Sequence, residues 1–416
     1  MTTSTDQRRG TTSRYLIFVG IDAPLLLNAS ETLIDLIGEV TAGWPFVVSH
    51  IQPDPPPFFT IDVAESDGRY HCQDMTTGGA KRRTLDPVNA VCDLVAAMSR
   101  ALPASEQSLI CLHAAAIEVS GRLVVIPNTR RAGKSTLTAY LAHLGYPIFT
   151  DDFVAVSFDR HGTLTGRANG ICPRLRLPLP DTLPTGFKRW ALGNPGPSNK
   201  QYKYLSLDGI PANGTSLPLG AIVLIDREKD TKAELREMPP EDAMKALLRQ
   251  NFTRDVHSAA VLSVMERLMA TLPVMQLRYA DAQDAAACIT GTFGTWTTPP
   301  ATSETHAAMA FDRAAAVEPL LGAIQSKAEY SQKPGTAIAT IGETIYLSDP
   351  KGAGIHRLDA ISRAIWLLLD YPTTPDRIID ILQLVFPEVA TADIRKDTER
   401  FLNDLARAGL IVGQAD

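Results

Sequence analysis

Cysteine is scarce in this sequence and never closely paired. There are five (Cys72, Cys92, Cys111, Cys172 and Cys288) among 416 residues, with no CxxC spacing. That excludes a disulfide framework and a thiolate-built structural zinc site, and it predicts a reducing compartment. No run approaches the ~18 apolar residues a membrane span needs. The start, MTTSTDQRRGTTSRY, has arginines but no apolar stretch behind them, so no signal peptide is read there. A cytoplasmic protein without a membrane partner is expected. Neither sign of charge dominates: 40 Lys and Arg against 46 Asp and Glu leave a net charge of −6, which gives no footprint for nucleic acid. The lone basic cluster, Lys81-Arg82-Arg83, reads as a solvated loop. What remains is ordinary globular composition, 45% apolar and 21% charged, in a chain of two- or three-domain length.

Three regions separate by pattern. An N-terminal α/β region (1–107) alternates strand-like runs (Tyr15–Val19, Phe59–Val63) with helical ones (Glu31–Ile37, Pro87–Leu102). A central domain (108–289) opens with the strands Ile110–Val119 and Leu123–Ile126 around a Ser120-Gly121 hairpin turn. A Gly- and Lys-bearing loop follows, then a helix from Ser135 to Leu144 and the strand Pro147–Thr150. This strand-loop-helix-strand order predicts an α/β fold with a parallel or mixed sheet. A later strand at Ala221–Ile225 and helices at Pro240–Arg249 and Ser258–Thr271 complete it. A Thr/Pro/Gly-rich linker (290–333), with a helix expected near 314–327, leads to a C-terminal domain (334–416). There, short strands at Ala337–Ile341, Thr344–Leu347 and Ile355–Leu358 precede three helices, the last stopped by Gly409.

The most informative stretch is Asn128-Thr129-Arg130-Arg131-Ala132-Gly133-Lys134-Ser135-Thr136. A phosphate-binding loop is written GxxxxGK[ST]; the last three positions match, while Asn128 replaces the first glycine. Asn tolerates left-handed dihedrals, so the exchange weakens the motif without breaking it. Loop N–H groups and the positive end of the following helix would cradle phosphates. Lys134 would reach the β/γ-phosphates and Ser135 would ligate Mg²⁺, so ATP or GTP with Mg²⁺ is the expected ligand. Arg130 and Arg131 would contact phosphate or close over it. Seventeen residues beyond Lys134, Asp151-Asp152 follows an apolar strand, where metal ligands and general bases sit in open α/β sheets. Asp226, after Ala221–Ile225, ranks second to this pair. His113, on the strand before the loop, could hold an acidic residue oriented, or simply be a satisfied core histidine.

The run Leu112-His113-Ala114-Ala115, Gly133-Lys134-Ser135 and Thr150-Asp151-Asp152 resembles the catalytic core of the HPr kinase/phosphorylase family. It is closer still to the bacterial HPr-kinase-related kinases. The resemblance covers about residues 112–279 and implies a P-loop fold related to PEP carboxykinase. It implies transfer of the γ-phosphate of ATP to a serine hydroxyl, with Asp151 as base, Asp152 on Mg²⁺ and His113 tuning the base; the two aspartates are exchangeable. Pro173-Arg174-Leu175-Arg176-Leu177 resembles a Pro-x-basic-Leu segment of those relatives and implies that Arg174 and Arg176 touch phosphate or acceptor. Arg131 stands where the family usually has another glycine, and no match is found for the family's glutamate in an Arg-Gly-rich segment, which puts the reverse phosphorylase activity in doubt. Hexamers are typical of the family, which leaves a homo-oligomer open.

The C-terminal region resembles the winged-helix-like PqqD peptide-recognition domains of ribosomal peptide (RiPP) biosynthesis. Gly342-Glu343, Leu358-Asp359, Ile365-Trp366, Phe401-Leu402 and Gly409–Val412 carry the likeness; a generic winged helix is the alternative. Such domains take a leader peptide as an added strand, which implies a groove formed by Ile355, His356, Arg357 and Leu358 with Arg395 and Thr398 of the last helix. The combined expectation is a precursor-peptide kinase, as in lasso-peptide biosynthesis. Two rivals stand beside it: a kinase of a carrier protein or small metabolite with a regulatory C-terminal domain, and a nucleotide-gated peptide-binding protein without catalysis.

Overall fold

In a computed structural model of the chain, the described residues are 13–64, 68–78, 81–127, 132–159, 161–253, 256–297, 311–312 and 324–413. Two compact units divide the chain. The first holds Met1–Met238, Arg249–Arg254 and Leu272–Ala310; the second holds Pro239–Leu248, Asp255–Thr271 and Phe311–Asp416.

The first unit begins with β1 (Arg14–Phe18), β2 (Leu25–Asn28), α1 (Glu31–Val40), β3 (Phe46–Ser49), β4 (Phe59–Val63), β5 (Tyr70–Asp74), β6 (Arg83–Leu85) and α2 (Pro87–Ser105). The strands form one sheet, β3-β1-β2-β4-β5-β6, in which only the β2–β4 pair is parallel. Strands β2, β3, β5 and β6, which the sequence reading passes over, are only three to five residues long, too short to show a period. Helix α2 starts with Pro87 at its first turn and Asp86 as its cap, accepting from the Asn89 N–H at 3.2 Å. That is where a fixed φ and a carboxylate acceptor suit an orphan helix end.

Next come β7 (Ile110–Leu112), β8 (Ala114–Val119), β9 (Arg122–Pro127), α3 (Lys134–His143), β10 (Ile148–Thr150), β11 (Val154–Phe158), β12 (Leu164–Arg167) and β13 (Arg174–Arg176). They are followed by α4 (Thr185–Gly193), β14 (Tyr202–Tyr204), β15 (Ser216–Arg227), β16 (Glu234–Glu237), α5 (Pro240–Gln250), α6 (Ser258–Thr271), β17 (Val274–Tyr279) and α7 (Ala282–Phe293). The main sheet runs β10-β8-β9-β15-β12-β11-β7, with β17 and β16 added beside β15. It is mixed: β9 and β17 are parallel to β15, while β8, β10, β11 and β12 pair antiparallel. The expected turn at Ser120-Gly121 has φ of 50° and 73°, the pair of positive values a two-residue primed turn requires. The strand expected over Ile110–Val119 is two strands, broken at His113, whose N–H leaves the ladder for the carbonyl of Gln250 at 2.7 Å.

Two apolar cores hold this unit. One joins β8, β9, β15 and β17 to α3 and α7 through residues such as Ile126, Leu137, Val223 and Ile289. The other joins α2 of the N-terminal region to β7 and β11, with Val91, Leu94 and Met98 in one cluster with Cys111, Phe153 and Ala155. The N-terminal region therefore shares a core with the strands that carry the motif residues.

The second unit contains β18 (Tyr330–Gln332), β19 (Ala337–Ile341), β20 (Thr344–Ser348), β21 (Ile355–Leu358), α8 (Ala360–Leu368), α9 (Pro375–Val385), α10 (Thr391–Arg407) and β22 (Ile411–Gly413), together with α6 and most of α5. The sheet β19-β20-β21 is antiparallel, and β18 pairs β22. Trp366, Ile378, Leu382 and Leu402 centre its core. Helix α10 ends as Gly409 demands. At φ 69° Gly409 donates to the Ala406 carbonyl, and the Leu410 N–H reaches back to Leu405 at 2.9 Å, the doubly bonded left-handed helix stop. The helix expected near 314–327 falls mostly outside the described residues. Among the described residues, no helix is long and apolar enough to cross a membrane.

Candidate functional site

Helix α3 starts at Lys134 without a side-chain cap, on Gly133 at φ 95°. A Cβ at Gly133 would stand 2.7 Å from the Tyr279 hydroxyl, so both dihedral and space require glycine. Among the described residues no side chain caps this first turn, and such a helix start suits an anion. Asn128, Thr129, Arg130 and Arg131 lie outside the described residues. Ala132 offers its carbonyl to Tyr279 Oη at 3.3 Å, and Ser135 and Thr136 are half-buried on the first turn.

Strand β10 delivers Asp151 and Asp152 to this helix start. The Lys134 ammonium, buried to 9% side-chain exposure, donates to the Asp151 backbone carbonyl and lies 3.3 Å from Asp151 Oδ1. Asp151 is 2% exposed, and its Oδ2 accepts the Arg174 backbone N–H at 3.1 Å. Asp152 Oδ1 accepts from Arg174 Nη2 at 3.1 Å, whereas Asp152 Oδ2 is buried and has no hydrogen-bond partner among the described residues. Burial pushes the Asp152 carboxyl up, yet Arg174, Lys134 and His113 together hold it below the ordinary carboxylate range. Arg174 feels the converse: burial opposes its charge and Asp152 outweighs burial, raising its pKa.

Arg174 is itself held from behind. Its guanidinium lies 4.8 Å from the Tyr202 ring centre and 5.9 Å from that of Tyr204, within cation–π range. Tyr204 Oη contacts Cys92 Sγ of α2 at 3.3 Å. Tyr202, Tyr204 and Cys92 carry no motif and are found only by folding the chain; the β13–β14 hairpin and α2 bring them in. Burial raises the Cys92 thiol, and Arg174 draws it down by less, so it stays a neutral packing group. Arg176 is exposed on the same hairpin, 5.6 Å from the Tyr202 ring. The His113 ring stacks on Phe252 at 5.2 Å and 26° between planes. Asp226 is tied elsewhere, accepting from Gln276 of β17 at 3.4 Å.

The arrangement thus brings Lys134, Asp151, Asp152 and Arg174 together at one helix start, and His113 close enough to act on the Asp152 charge. Among the described residues, no three His, Cys, Asp or Glu side chains form a metal cage. A nucleotide-bound Mg²⁺ needs only one or two protein donors, and Asp152 Oδ2, without a hydrogen-bond partner among the described residues, fits that demand.

In the second unit β21 is an edge strand, paired only with β20 among the described residues. His356 and Arg357 reach the surface there, while Leu358 is buried. A cavity of about 80 Å³ lies between Ile361 of α8, Leu382 and Phe386 of α9, and Ile394 and Thr398 of α10. Thr398 lines it; Ile355–Leu358 do not. Arg395 is bound to Asp376 of α9 at 2.8 Å and to Glu399 at 3.7 Å, His356 faces Asp349 at 4.0 Å, and Leu358 packs in the apolar core, so these three expected groove residues are committed elsewhere.

Residues 345–411 match the sequence profile of the family described as coenzyme PQQ synthesis protein D (PqqD). No curated protein shows significant sequence similarity to the chain. Among solved structures, TbiB1 in complex with the TbiA(beta) leader peptide is 28% identical, over 21% of this chain and 99% of that one, with a TM-score of 0.19. The Hpr(Ser) kinase/phosphatase from Coxiella burnetii is 11% identical, over 44% of this chain and 89% of that one, with a TM-score of 0.22. The C-terminal region is therefore a PqqD domain.

Proposed function

We propose that the chain is an ATP-dependent kinase that phosphorylates a serine or other hydroxyl of a ribosomally made precursor peptide. The PqqD domain captures the peptide's leader segment. One observation carries the kinase half: among the described residues, a buried lysine on a helix start without a side-chain cap lies 3.3 Å from one member of a carboxylate pair whose other member keeps an unpartnered oxygen. The profile match over 345–411 and the unpaired edge of β21 support the capture half.

In this reading Lys134 leaves Asp151 for the β/γ-phosphates when nucleotide enters. That frees Asp151 Oδ1 to take the proton of the acceptor hydroxyl. The acceptor oxygen bonds to the γ-phosphorus as the bond to the β-phosphate oxygen breaks, and ADP leaves. Ser135 and Asp152 Oδ2 would hold Mg²⁺, which when bound neutralises phosphate charge. Arg174 positions Asp152, and Arg174 or Arg176 contacts the incoming acceptor. His113 orients or tunes the base. Little covalent work falls to the protein, since positioning and charge neutralisation dominate phosphoryl transfer. Leader capture raises the local acceptor concentration to about the millimolar range of a short tether, so the site itself can bind the acceptor weakly.

The test combines the protein, ATP, Mg²⁺ and the peptide encoded by a short reading frame beside its gene, and the peptide is weighed by mass spectrometry. Gain of one phosphate is expected. Lys134→Ala and Asp151→Asn should each reduce transfer at least about 100-fold, the scale of a lost acid–base group, with leader binding unchanged. Wild-type transfer by Asp151→Asn would overturn the base assignment.

A further inference from the structure

The stop of helix α3, at the end away from Lys134, forms one wall of a cavity of about 470 Å³, a size within the range of small-ligand sites. The helix is ten residues long, about 15 Å at 1.5 Å per residue, so this cavity is distinct from the candidate phosphoryl-transfer site. Gly145 and Tyr146 line it after the helix stop, Trp190 and Asn194 from α4 and its end, and Ser206 and Asp208 from the loop that follows β14. Gly145, at φ 91°, has open space where a side chain would stand, so no side chain of its own covers the helix end there.

The rim is fixed by the fold. Asn194 ties the loop to the end of α4. Its side chain donates to the Ser206 carbonyl at 2.8 Å and accepts the N–H groups of Ser206 at 2.8 Å and Gly196 at 3.1 Å. Leu205 and Leu207, on either side of Ser206, pack in the apolar core of the sheet. Trp190 is braced by His143 and Phe187, with ring centres 5.1 and 5.7 Å away. It is nonetheless only half-buried, which leaves part of the indole open to the cavity it lines.

The charge around the cavity has one sign. Asp208 is the one charged side chain among the described lining residues. It is exposed, and among the described residues it has neither an ion-pair nor a hydrogen-bond partner. Lys188 and Arg189 of α4 do not line the cavity, and Lys188 donates to the Asp181 carbonyl at 3.3 Å. The stop of α3 adds the negative end of a helix dipole. A carboxylate, a helix C-terminus and an aromatic ring at one cavity all favour a cation. A flat, weakly hydrated guanidinium both stacks on an indole and pairs with a carboxylate through two N–H groups, which a compact ammonium does not.

We propose that this cavity binds a guanidinium group on a short apolar arm, stacked on Trp190 and paired with Asp208. The group belongs to a free alkylguanidine or to an arginine side chain of a bound peptide, and the test separates the two. The site stands apart from the kinase reading and does not rest on it.

The full chain, labelled with a nitrogen isotope, is titrated with N-acetyl-arginine N-methylamide. The indole N–H resonance of Trp190, identified by its loss in Trp190→Phe, is followed. A saturable shift with a dissociation constant of about 1 mM is expected for a ligand of so few atoms. The citrulline counterpart, similar in shape and uncharged, should leave the resonance unmoved. Asp208→Asn should weaken binding of the arginine compound at least about tenfold, the scale of a lost charge-assisted bond, while Asp208→Glu keeps most of the affinity. Propylguanidine binding as tightly as the blocked arginine assigns the site to a free guanidine; tighter binding of the blocked arginine assigns it to a peptide side chain. An arginine compound that moves nothing at about 10 mM, a citrulline compound that binds equally, or an Asp208→Asn variant of wild-type affinity overturns the proposal. No phosphate transfer enters the readout, so either outcome leaves the kinase reading as it was.

Discussion

Asp152 is the residue on which charge and burial are most finely opposed. Desolvation alone would push its proton affinity up, but the neighbouring cations reverse the sign, and the carboxyl is held ionised below its ordinary range. A depressed folded-state pKa stabilises the native state above the unfolded value of about 3.9 and ceases to do so as pH falls through the folded one. The Asp152–Arg174 pair should therefore contribute fully at neutral pH and be lost in acid. Asp152→Asn leaves Arg174 without its counter-charge, at a cost of roughly 2–3 kcal/mol, since the pair is less buried than those that cost 3–5. It should also flatten the acid limb of the stability curve below about pH 4, measured by urea melts across pH. The closeness of Lys134 to Asp151 and Asp152 was legible in the sequence, because a loop, a helix and one strand leave few ways to place them; Arg174 was singled out only by resemblance, as a phosphate or acceptor contact, and its pairing with Asp152 was not foreseen. Cys92, Tyr204 and Phe252 were not legible, because they enter from sequence-distant elements, and packing alone selects them.

At the scale of elements, legibility follows length and punctuation. The three-stranded sheet of the PqqD domain stands within a residue of its expected bounds, and its last helix stops at Gly409 as expected, because glycine and aspartate mark turns and helix ends there. Strands β18 and β22, three residues each, are too short for alternation to declare them. The punctuation is also testable. Asp359 caps α8 by accepting the Ser362 N–H at 2.9 Å, and that bond is the main reason its carboxyl titrates below the usual range. Asp359→Ala should cost about 1 kcal/mol, seen as a lower denaturant midpoint. The loss should be full at neutral pH, shrink as pH falls below the unfolded value of about 3.9, and vanish only once pH has dropped through the lower folded-state value.

At the scale of the molecule, the sequence placed the break between domains in the Thr/Pro/Gly-rich stretch after residue 289, yet α5 and α6, well before it, pack in the unit that holds the PqqD sheet. Periodicity reveals that α6 has an apolar face but not what covers it; the structure lays that helix on β19, β20 and β21. A chain cut after residue 333 would lose this sheet while keeping the helix. Val261, Leu262, Val264, Met265 and Leu268 are all buried in the whole protein. Each such side chain left in water forfeits about 1.5–3 kcal/mol, so exposing two or three removes several kcal/mol from a total of about 5–15. The shortened chain is expected to bind a hydrophobic dye and to melt at a lower temperature and less cooperatively than the full one. Loss of phosphate transfer on truncation would then report a damaged fold as readily as a lost leader seat. A shortened chain that stays soluble and melts sharply would instead show that α5 and α6 stand without the sheet, and that the PqqD domain ends where the linker composition says it does.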